Sequence, residues 1–190
     1  MTALEPLNIV RPLPLRVDDF LLLDANGAFE GYGKTELIEG TVVFMNAQHR
    51  PHARIKGKLH LELTRALAEL DTGLAVMIEA TVAMPPHNAP EPDLLLTREP
   101  DGEGPVPLAS VALVIEIADT TLNNDLGIKA GVYARGGVPE YWVVDLAGRR
   151  VVRMWAAAGD AYARREECAF GARVESATIA GLGVETAGMN

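Results

Sequence analysis

The chain of 190 residues has one cysteine, Cys168, and no long apolar run. One cysteine excludes an intrachain disulfide and a zinc site built from several cysteines of one chain. No stretch approaches the roughly 20 apolar residues that cross a bilayer. The start of the chain, MTALEPLNIVRPLPLR, has prolines and arginines where a signal peptide needs an uninterrupted apolar segment. We therefore expect a cytoplasmic protein without a membrane partner.

Aromatic residues are also scarce, at 5% of the chain, whereas 48% of all residues are hydrophobic. Val, Leu, Ile and Ala must therefore supply most of the core. A chain of this length can bury roughly 70% of its unfolded surface within one domain. We expect an irregular N-terminal arm over residues 1–16 and a single domain over residues 17–190.

Basic residues are outnumbered, and the formal net charge is -9. This charge counts against general affinity for polyanions, but nucleic-acid binding depends on where basic residues cluster. Residues 49–58, HRPHARIKGK, carry basic side chains and histidines with no acid among them. The segment is either the solvated start of a helix or a local surface for phosphate.

Apolar periodicity and turn residues predict alternating helices and strands. The first predicted elements are a short helix stopped by Asn26-Gly27, a β-hairpin turning near Glu39-Gly40 and a helix from about His52 to Leu70. Three strands follow: one over residues 74–84, one opening at Asp93 and a central one over residues 111–118. The last elements are a helix over residues 121–137, capped by Asn123 or Asn124, and a hairpin-like strand pair turning at Ala147-Gly148. The segment from Ala157 is expected to add edge strands. This order predicts a mixed α/β fold in which helices flank a mixed β-sheet.

Two carboxylates occur within apolar strand sequence. Asp93 follows a proline and opens PDLLLT, and Glu116 is the single charged residue of VALVIEIA. A lone buried carboxylate is costly unless it is paired, neutralised or bound to metal. Two acids on neighbouring strands can hold one cation, and oxygen ligands of this kind suit Mg²⁺. Lys129, on the next helix, could orient or deprotonate an attacking water and stabilise charge on a phosphate.

Each of these residues also has an ordinary structural interpretation. Asp93 could cap a Pro-Asp turn, and Glu116 could pair with an arginine at the core edge. Asp125 and Lys129, four apart on a helix, could form a surface ion pair. The joint pattern of the two acids and the lysine favours a site. A glycosidase acid pair is disfavoured because few aromatics are present to stack on sugars and because Lys129 would have no role.

Four stretches together resemble a known family: TELIEGTVVFM, HRPHARI, EPDLLL and ALVIEIADTTLNNDLGIKAGVYARGGVPEYWVVD. They resemble the Uma-two family of restriction endonucleases, within the PD-(D/E)XK nuclease superfamily, over about residues 15–155. The resemblance implies a restriction-endonuclease-like core. It makes Asp93 the acid of the Pro-Asp motif and Glu116 the acid of the E-x-K motif. Ala118 stands where the superfamily has lysine, and Lys129 matches a lysine displaced to the following helix.

The resemblance also implies roles for other residues. Glu36 matches an acid of the first hairpin, as a further catalytic residue or outer metal ligand, and His52 matches a histidine at the start of the long helix, as a phosphate contact. The basic cluster at residues 49–58, rather than the resemblance, suggests that Arg54 and Lys56 contact substrate beside His52. Family members often carry a Ser-Pro-Ser-Thr-like loop after the glutamate strand; this chain has ADTT instead, which adds Asp119 near the site.

The implied function is a metal-dependent endonuclease that hydrolyses DNA phosphodiester bonds. Asp93, Glu116 and the main-chain carbonyl of Ile117 would bind Mg²⁺ or Mn²⁺, and Lys129 would position the attacking water. The arginine group at residues 149, 150 and 153 would add phosphate contacts. A homodimer is expected, because C2 dimers are the commonest assembly. The alternative is a catalytically inactive nuclease-fold protein with a binding or regulatory role.

Overall fold

The computed structural model describes residues 12–45 and 47–189. The predicted N-terminal arm falls largely on residues 1–11, which lie outside the described residues. Its last part, residues 12–16, is irregular. The amide of Leu15 donates to the carbonyl of Gly40 at 2.9 Å, so this part of the arm lies against the turn of the first hairpin.

Helices and runs of strands follow one another along the described chain. The helices are α1 (Val17–Ala25), α2 (Arg50–Ala68), α3 (Leu122–Asn124) and α4 (Ala130–Arg135), with a π-helical turn, Asp125–Lys129, joining α3 to α4 and a 3₁₀ turn at Leu108–Ser110. The strands are β1 (Thr35–Ile38), β2 (Thr41–Phe44), β3 (Ala75–Ile78), β4 (Val82–Ala83), β5 (Leu94–Thr97), β6 (Val106–Pro107), β7 (Val111–Ala118), β8 (Glu140–Asp145), β9 (Arg150–Ala158), β10 (Ala161–Ala169), β11 (Arg173–Glu175) and β12 (Gly183–Glu185).

Six strands form one sheet in the order β10-β9-β8-β7-β5-β3, in which β7 and β8 are parallel and the other neighbours are antiparallel. The central strand β7 is buried along its whole length, as its apolar sequence predicts. Ile115 packs with α2 on one face, and Val114 packs with α4 on the other. The prediction of a mixed sheet flanked by helices is confirmed.

The long helix α2 contributes one apolar stripe to the core. Ile55, Leu59, Leu63 and Leu67 recur every four residues and are all buried against the sheet. Full burial of such a side chain contributes roughly 1.5–3 kcal/mol. Pro51 lies in the first turn, where a missing amide hydrogen costs no hydrogen bond. The helix is therefore two residues displaced from the prediction, because the proline belongs to its first turn.

The hairpin β1–β2 turns where the sequence predicts. Ile38 pairs with Thr41, and the two residues between them, Glu39 and Gly40, have φ of 50° and 77°. Two positive φ angles suit a tight turn whose twist matches the strands. The tight turn sets the register in which Glu36 lies opposite Val43.

Two local predictions are wrong. Residues 74–84 do not form one strand: the chain leaves β3 at Glu79, whose φ of 51° breaks extended geometry, and β4 then pairs with β6. The N-cap position of the helix before Lys129 is Thr121 rather than an asparagine. Asn124 already has helical dihedrals, φ -70° and ψ -44°, whereas an N-cap residue lies outside the helical region.

The C-terminal half keeps the predicted strand order. The pair β8–β9 turns between Asp145 and Arg150, and β10 is the predicted edge strand. No helix within residues 12–45 and 47–189 has the length and apolarity needed to cross a membrane.

Candidate active site

Adjacent strands bring Asp93 and Glu116 to one place. The β5–β7 register pairs Leu94 with Ile115, so the next position along each strand sets Asp93 beside Glu116. The Ile117 amide donates to Oδ2 of Asp93 at 2.8 Å, which fixes the carboxylate against β7. Both acids line the same cavity of about 860 Å³.

Lys129 lies between two buried carboxylates. Its Nζ donates to Oε1 of Glu116 at 2.9 Å and to Oε1 of Glu36 at 3.0 Å. It also lies 2.9 Å from Oε2 of Glu36, without hydrogen-bond geometry. The side chain is 1% exposed. The alternative of a surface ion pair between Asp125 and Lys129 is wrong, because both side chains are buried.

The π-helical turn determines which side chains face Glu116. Lys129 ends this turn, and Tyr133 follows four residues later on the same helical face. The Tyr133 hydroxyl donates to the same Glu116 oxygen at 3.0 Å. A wide turn of this kind inside a helix is frequent at functional sites.

Burial and mutual charge set the protonation of the central groups. Burial raises the pKa of Glu116 to about 8, because it outweighs the opposing charge of Lys129, and Asp93 and Glu36 add to the rise. Burial also opposes the charged form of Lys129, but Glu116 and Glu36 outweigh it and hold the lysine pKa above its usual range. The lysine is therefore a permanent cation.

The pKa of Asp93 is shifted in the opposite direction from that of Glu116. Burial acts to raise its pKa, but the His52 contact and the Ile117 amide outweigh burial and leave the pKa below its ordinary value. Nε2 of His52 lies 3.1 Å from Oδ2 of Asp93. Asp93 is thus an ionised carboxylate, which is the form that a metal ligand requires.

A second group of polar side chains surrounds the other oxygen of Asp93. Nζ of Lys56 lies 2.6 Å from Oε1 of Gln48, 2.6 Å from Oε1 of Glu79 and 3.5 Å from Oδ1 of Asp93. The hydrogen bond from Lys56 outweighs burial and lowers the pKa of Glu79. His52 and Lys56, predicted to contact phosphate, both turn inward to Asp93.

The other predicted phosphate contacts lie away from this cavity. Arg54 is exposed on α2. On β9, Arg150 pairs with Asp145 at 3.0 Å and with Glu167 at 2.8 Å. Arg153 pairs with Glu166. Acids of neighbouring strands therefore balance these two arginines.

The donor set suits a hard cation. Within the described ranges, no three His, Cys, Asp or Glu side chains form a group that could hold a metal ion. Mg²⁺ does not require such a group, because it binds through one or two carboxylates together with waters and substrate phosphates. Among the described residues, Oδ1 of Asp93 has only long contacts, 3.4 Å to Gln48 and 3.5 Å to Lys56. In the part of the chain that the structure describes, the side-chain hydrogen bonds of Glu116 use Oε1, so its other oxygen and Oδ1 of Asp93 are candidate ligands for a cation.

Comparison with known families decides the assignment. The family model Uma2, described as "Putative restriction endonuclease", matches residues 17–187. The chain belongs to the Uma2 family. The match covers most of the chain, confirms the resemblance and supports nuclease function. No curated protein matches the chain.

A solved structure extends the comparison to the fold. The crystal structure of a putative nuclease belonging to DUF820, from Anabaena variabilis ATCC 29413, matches with a TM-score of 0.61 at 17% identity. The alignment covers 86% of this chain and 89% of the other. At this identity the likeness concerns the fold alone, and it confirms the restriction-endonuclease-like core.

This Uma2 chain also places residues at the site that its sequence does not reveal. Tyr133 could have been found by its spacing of four from Lys129 on one helix. Gln48 and Glu79 carry no sequence signal, because their contacts depend on how α2 packs beside the end of β3. Asp119, from the family-divergent ADTT segment, lines the cavity as expected.

Proposed function

We propose that this protein is a metal-dependent endonuclease that hydrolyses DNA phosphodiester bonds. The observation that carries the proposal is the buried lysine cation held between Glu36 and Glu116, two acids that line one cavity together with the ionised Asp93. A buried cation and the buried acids around it are expensive to maintain. Their concentration in a cavity is typical of a catalytic site rather than a stabilising core.

Asp93, Glu116 and the Ile117 carbonyl would hold Mg²⁺ or Mn²⁺. When bound, such an ion supplies Lewis-acid stabilisation of negative charge on the phosphate. Ile117 would then have a double role, since its amide orients Asp93 and its carbonyl would be the third ligand. His52 then holds Asp93 in position, a role that replaces the predicted phosphate contact.

Lys129 acts in this proposal as a hydrogen-bond donor and not as a base. Its pKa lies above the usual range, so it keeps its proton throughout the reaction. It can orient an attacking water and stabilise charge that develops on phosphate. Glu36 is the second carboxylate that holds the lysine and has no other role in this scheme.

The proposal is tested by cleavage of supercoiled plasmid, linear duplex and single-stranded DNA with Mg²⁺ or Mn²⁺. We expect nicking by the wild type and a loss of about 100-fold or more in Lys129→Ala and Asp93→Asn. Arg65→Ala is the matched control, because Arg65 pairs with Glu62 on α2 outside the cavity. Thermal melts establish that each variant folds. Absence of cleavage by the wild type on every substrate would overturn the proposal.

The alternative function is a nuclease-fold protein that binds without cutting. It is favoured by the inward orientation of His52, Lys56 and Lys129, whose side-chain nitrogens contact carboxylates of the protein itself. Calorimetry separates the two functions. Mg²⁺ or Mn²⁺ binding that disappears in Asp93→Asn supports the enzyme, whereas no metal binding by the wild type supports the alternative.

We also propose a homodimer, since nucleases that cut both DNA strands often pair two active sites and C2 dimers are the commonest assembly. Light scattering of the purified chain tests the assembly. A monomer mass at micromolar concentration, with and without DNA, would contradict it.

A further inference from the structure

The site contains a second lysine that the proposed chemistry does not use. Lys56 comes from α2, on one face of the sheet, whereas Lys129 comes from the helical segment on the other face. The two ammonium groups form ion pairs with different acids of the site: Lys129 with Glu116, and Lys56 with Asp93.

Three oxygen atoms surround the ammonium of Lys56. They are Oε1 of Gln48 and Oε1 of Glu79, each at 2.6 Å, and Oδ1 of Asp93 at 3.5 Å. Nε2 of Gln48 in turn donates to the Glu79 carboxylate at 2.9 Å and to Asp93 at 3.4 Å. Gln48, Glu79 and Asp93 thus form one hydrogen-bond network around the ammonium group of Lys56.

The backbone at Glu79 is held in an uncommon conformation. Its φ of 51° is in the left-handed region, which costs a residue with a side chain roughly 1–2 kcal/mol. The Glu79 amide donates to the Asp93 carbonyl at 3.2 Å. This strained link sets the Glu79 side chain beside Asp93, and strain of this kind concentrates at functional sites.

The surroundings of Lys56 differ from those of an ordinary ion pair. A surface pair leaves the lysine in water, whereas the Lys56 side chain is 11% exposed. Two carboxylates and an amide oxygen are also the ligand types that Mg²⁺ takes. The ammonium therefore fills a position that these oxygens would otherwise offer to a divalent cation.

We propose that Lys56 is a built-in cation that takes the place of a second divalent metal beside Asp93, so that the protein binds one exchangeable Mg²⁺ or Mn²⁺. The inference rests on the proposed metal-dependent function. Two-metal nucleases place their ions roughly 3.5–4 Å apart around a shared carboxylate. In this chain, a fixed positive charge occupies one side of Asp93 and repels a second ion from its ligands.

The test is the number of Mn²⁺ ions bound per chain, measured by calorimetry and by electron paramagnetic resonance in the absence of DNA. We expect one ion for the wild type and two for Lys56→Met, which keeps the length of the side chain and removes its charge. Lys56→Gln is measured in parallel, with the same expectation, in case the methionine variant does not fold. The double variant Lys56→Met/Glu79→Gln should lose the gained site or bind it about ten-fold more weakly. Arg65→Met, a charge removed elsewhere on α2, should bind one ion.

The outcomes separate this inference from the proposed function. Two ions on the wild type, or one ion on folded Lys56→Met and Lys56→Gln, would overturn the role of Lys56 and leave metal dependence intact. No ion on the wild type would overturn the metal-dependent function, and the role of Lys56 with it.

Discussion

The side chain of Lys129 holds together a group of charges that would otherwise repel each other. Replacing it with methionine leaves Glu36 and Glu116 buried without their cation. Because removal of one partner from a buried ion pair is strongly destabilising, Lys129→Met should lower the free energy of unfolding by about 3–5 kcal/mol. Urea unfolding of the metal-free protein measures the change.

The matched comparison is between Lys129→Met and the double variant Lys129→Met/Glu36→Gln. Removing one of the stranded carboxylates should recover part of the loss, so the double variant is expected to be more stable than Lys129→Met alone. Equal stability of Lys129→Met and the wild type would contradict the ion-pair account.

Asp125 gives a pH-dependent prediction. Burial raises its pKa although Thr121 and Lys129 act to lower it. Because the folded pKa exceeds the unfolded value, the ionised carboxylate destabilises the fold once the pH is above the unfolded pKa. Asp125→Asn should therefore show a higher Tm than the wild type near pH 7, and this advantage should shrink below about pH 4. Thermal melts across this range measure it, and a difference that grows toward acid pH would contradict the sign.

The hairpin and the π-helical turn, the elements that carry Glu36 and Lys129, contain glycines with opposite requirements. Gly40 has φ of 77°, and an added Cβ would collide with Pro14. Gly127, in the π-helical turn, has open space around it and no positive φ. An alanine there reduces the entropy of the unfolded chain without a collision.

We expect Gly127→Ala to raise the free energy of unfolding by about 0.4–1 kcal/mol and Gly40→Ala to lower it by more than that amount. Urea unfolding of both variants tests the pair. Destabilisation by Gly127→Ala would indicate that the π-helical turn itself depends on glycine.

In the molecule as a whole, one buried carboxylate joins the C-terminal segment to the sheet. Glu140 begins β8 and is fully buried. It accepts hydrogen bonds from Nε1 of Trp142 at 2.6 Å, from Oγ of Ser176 at 2.6 Å, and from the amides of Ala177 and Thr178 at 3.0 Å each. This carboxylate needs no cation, because donors surround it.

Glu140→Ala should cost about 3 kcal/mol or more of unfolding free energy, since it strands several buried donors. It should also speed proteolysis within residues 176–189. Glu140→Gln, which retains an acceptor oxygen, is the milder control. A normal proteolysis pattern in Glu140→Ala would show that other contacts hold the C-terminal segment.

Much of the framework could be predicted from the pattern of residues. The continuous apolar run of β7 predicts a central strand, and the four-residue spacing of leucines predicts α2. The turn at Glu39-Gly40 also follows from local chemistry, since tight hairpin turns require positive φ. These features depend on near neighbours in the chain, which is why the sequence alone is informative about them.

The partners of the charged side chains could not be predicted in the same way. Lys129 is 93 residues from Glu36 and 13 from Glu116, and Lys56 is 37 from Asp93. Such contacts depend on strand register and on which helix face meets the sheet. The break of residues 74–84 at Glu79 escaped prediction for the same reason, because β4 leaves the main sheet to pair with β6.

The sequence by itself determined the central strand, the long helix, the first hairpin and the two acids in apolar surroundings, because periodicity and turn chemistry act over a few residues. Only the tertiary structure decided that Lys129 is a buried cation between two acids and that the side chains of Lys56 and His52 contact the Asp93 carboxylate. The physical reason is that burial and charge pairing arise between segments distant in the chain, once the sheet register and the helix faces have set their positions.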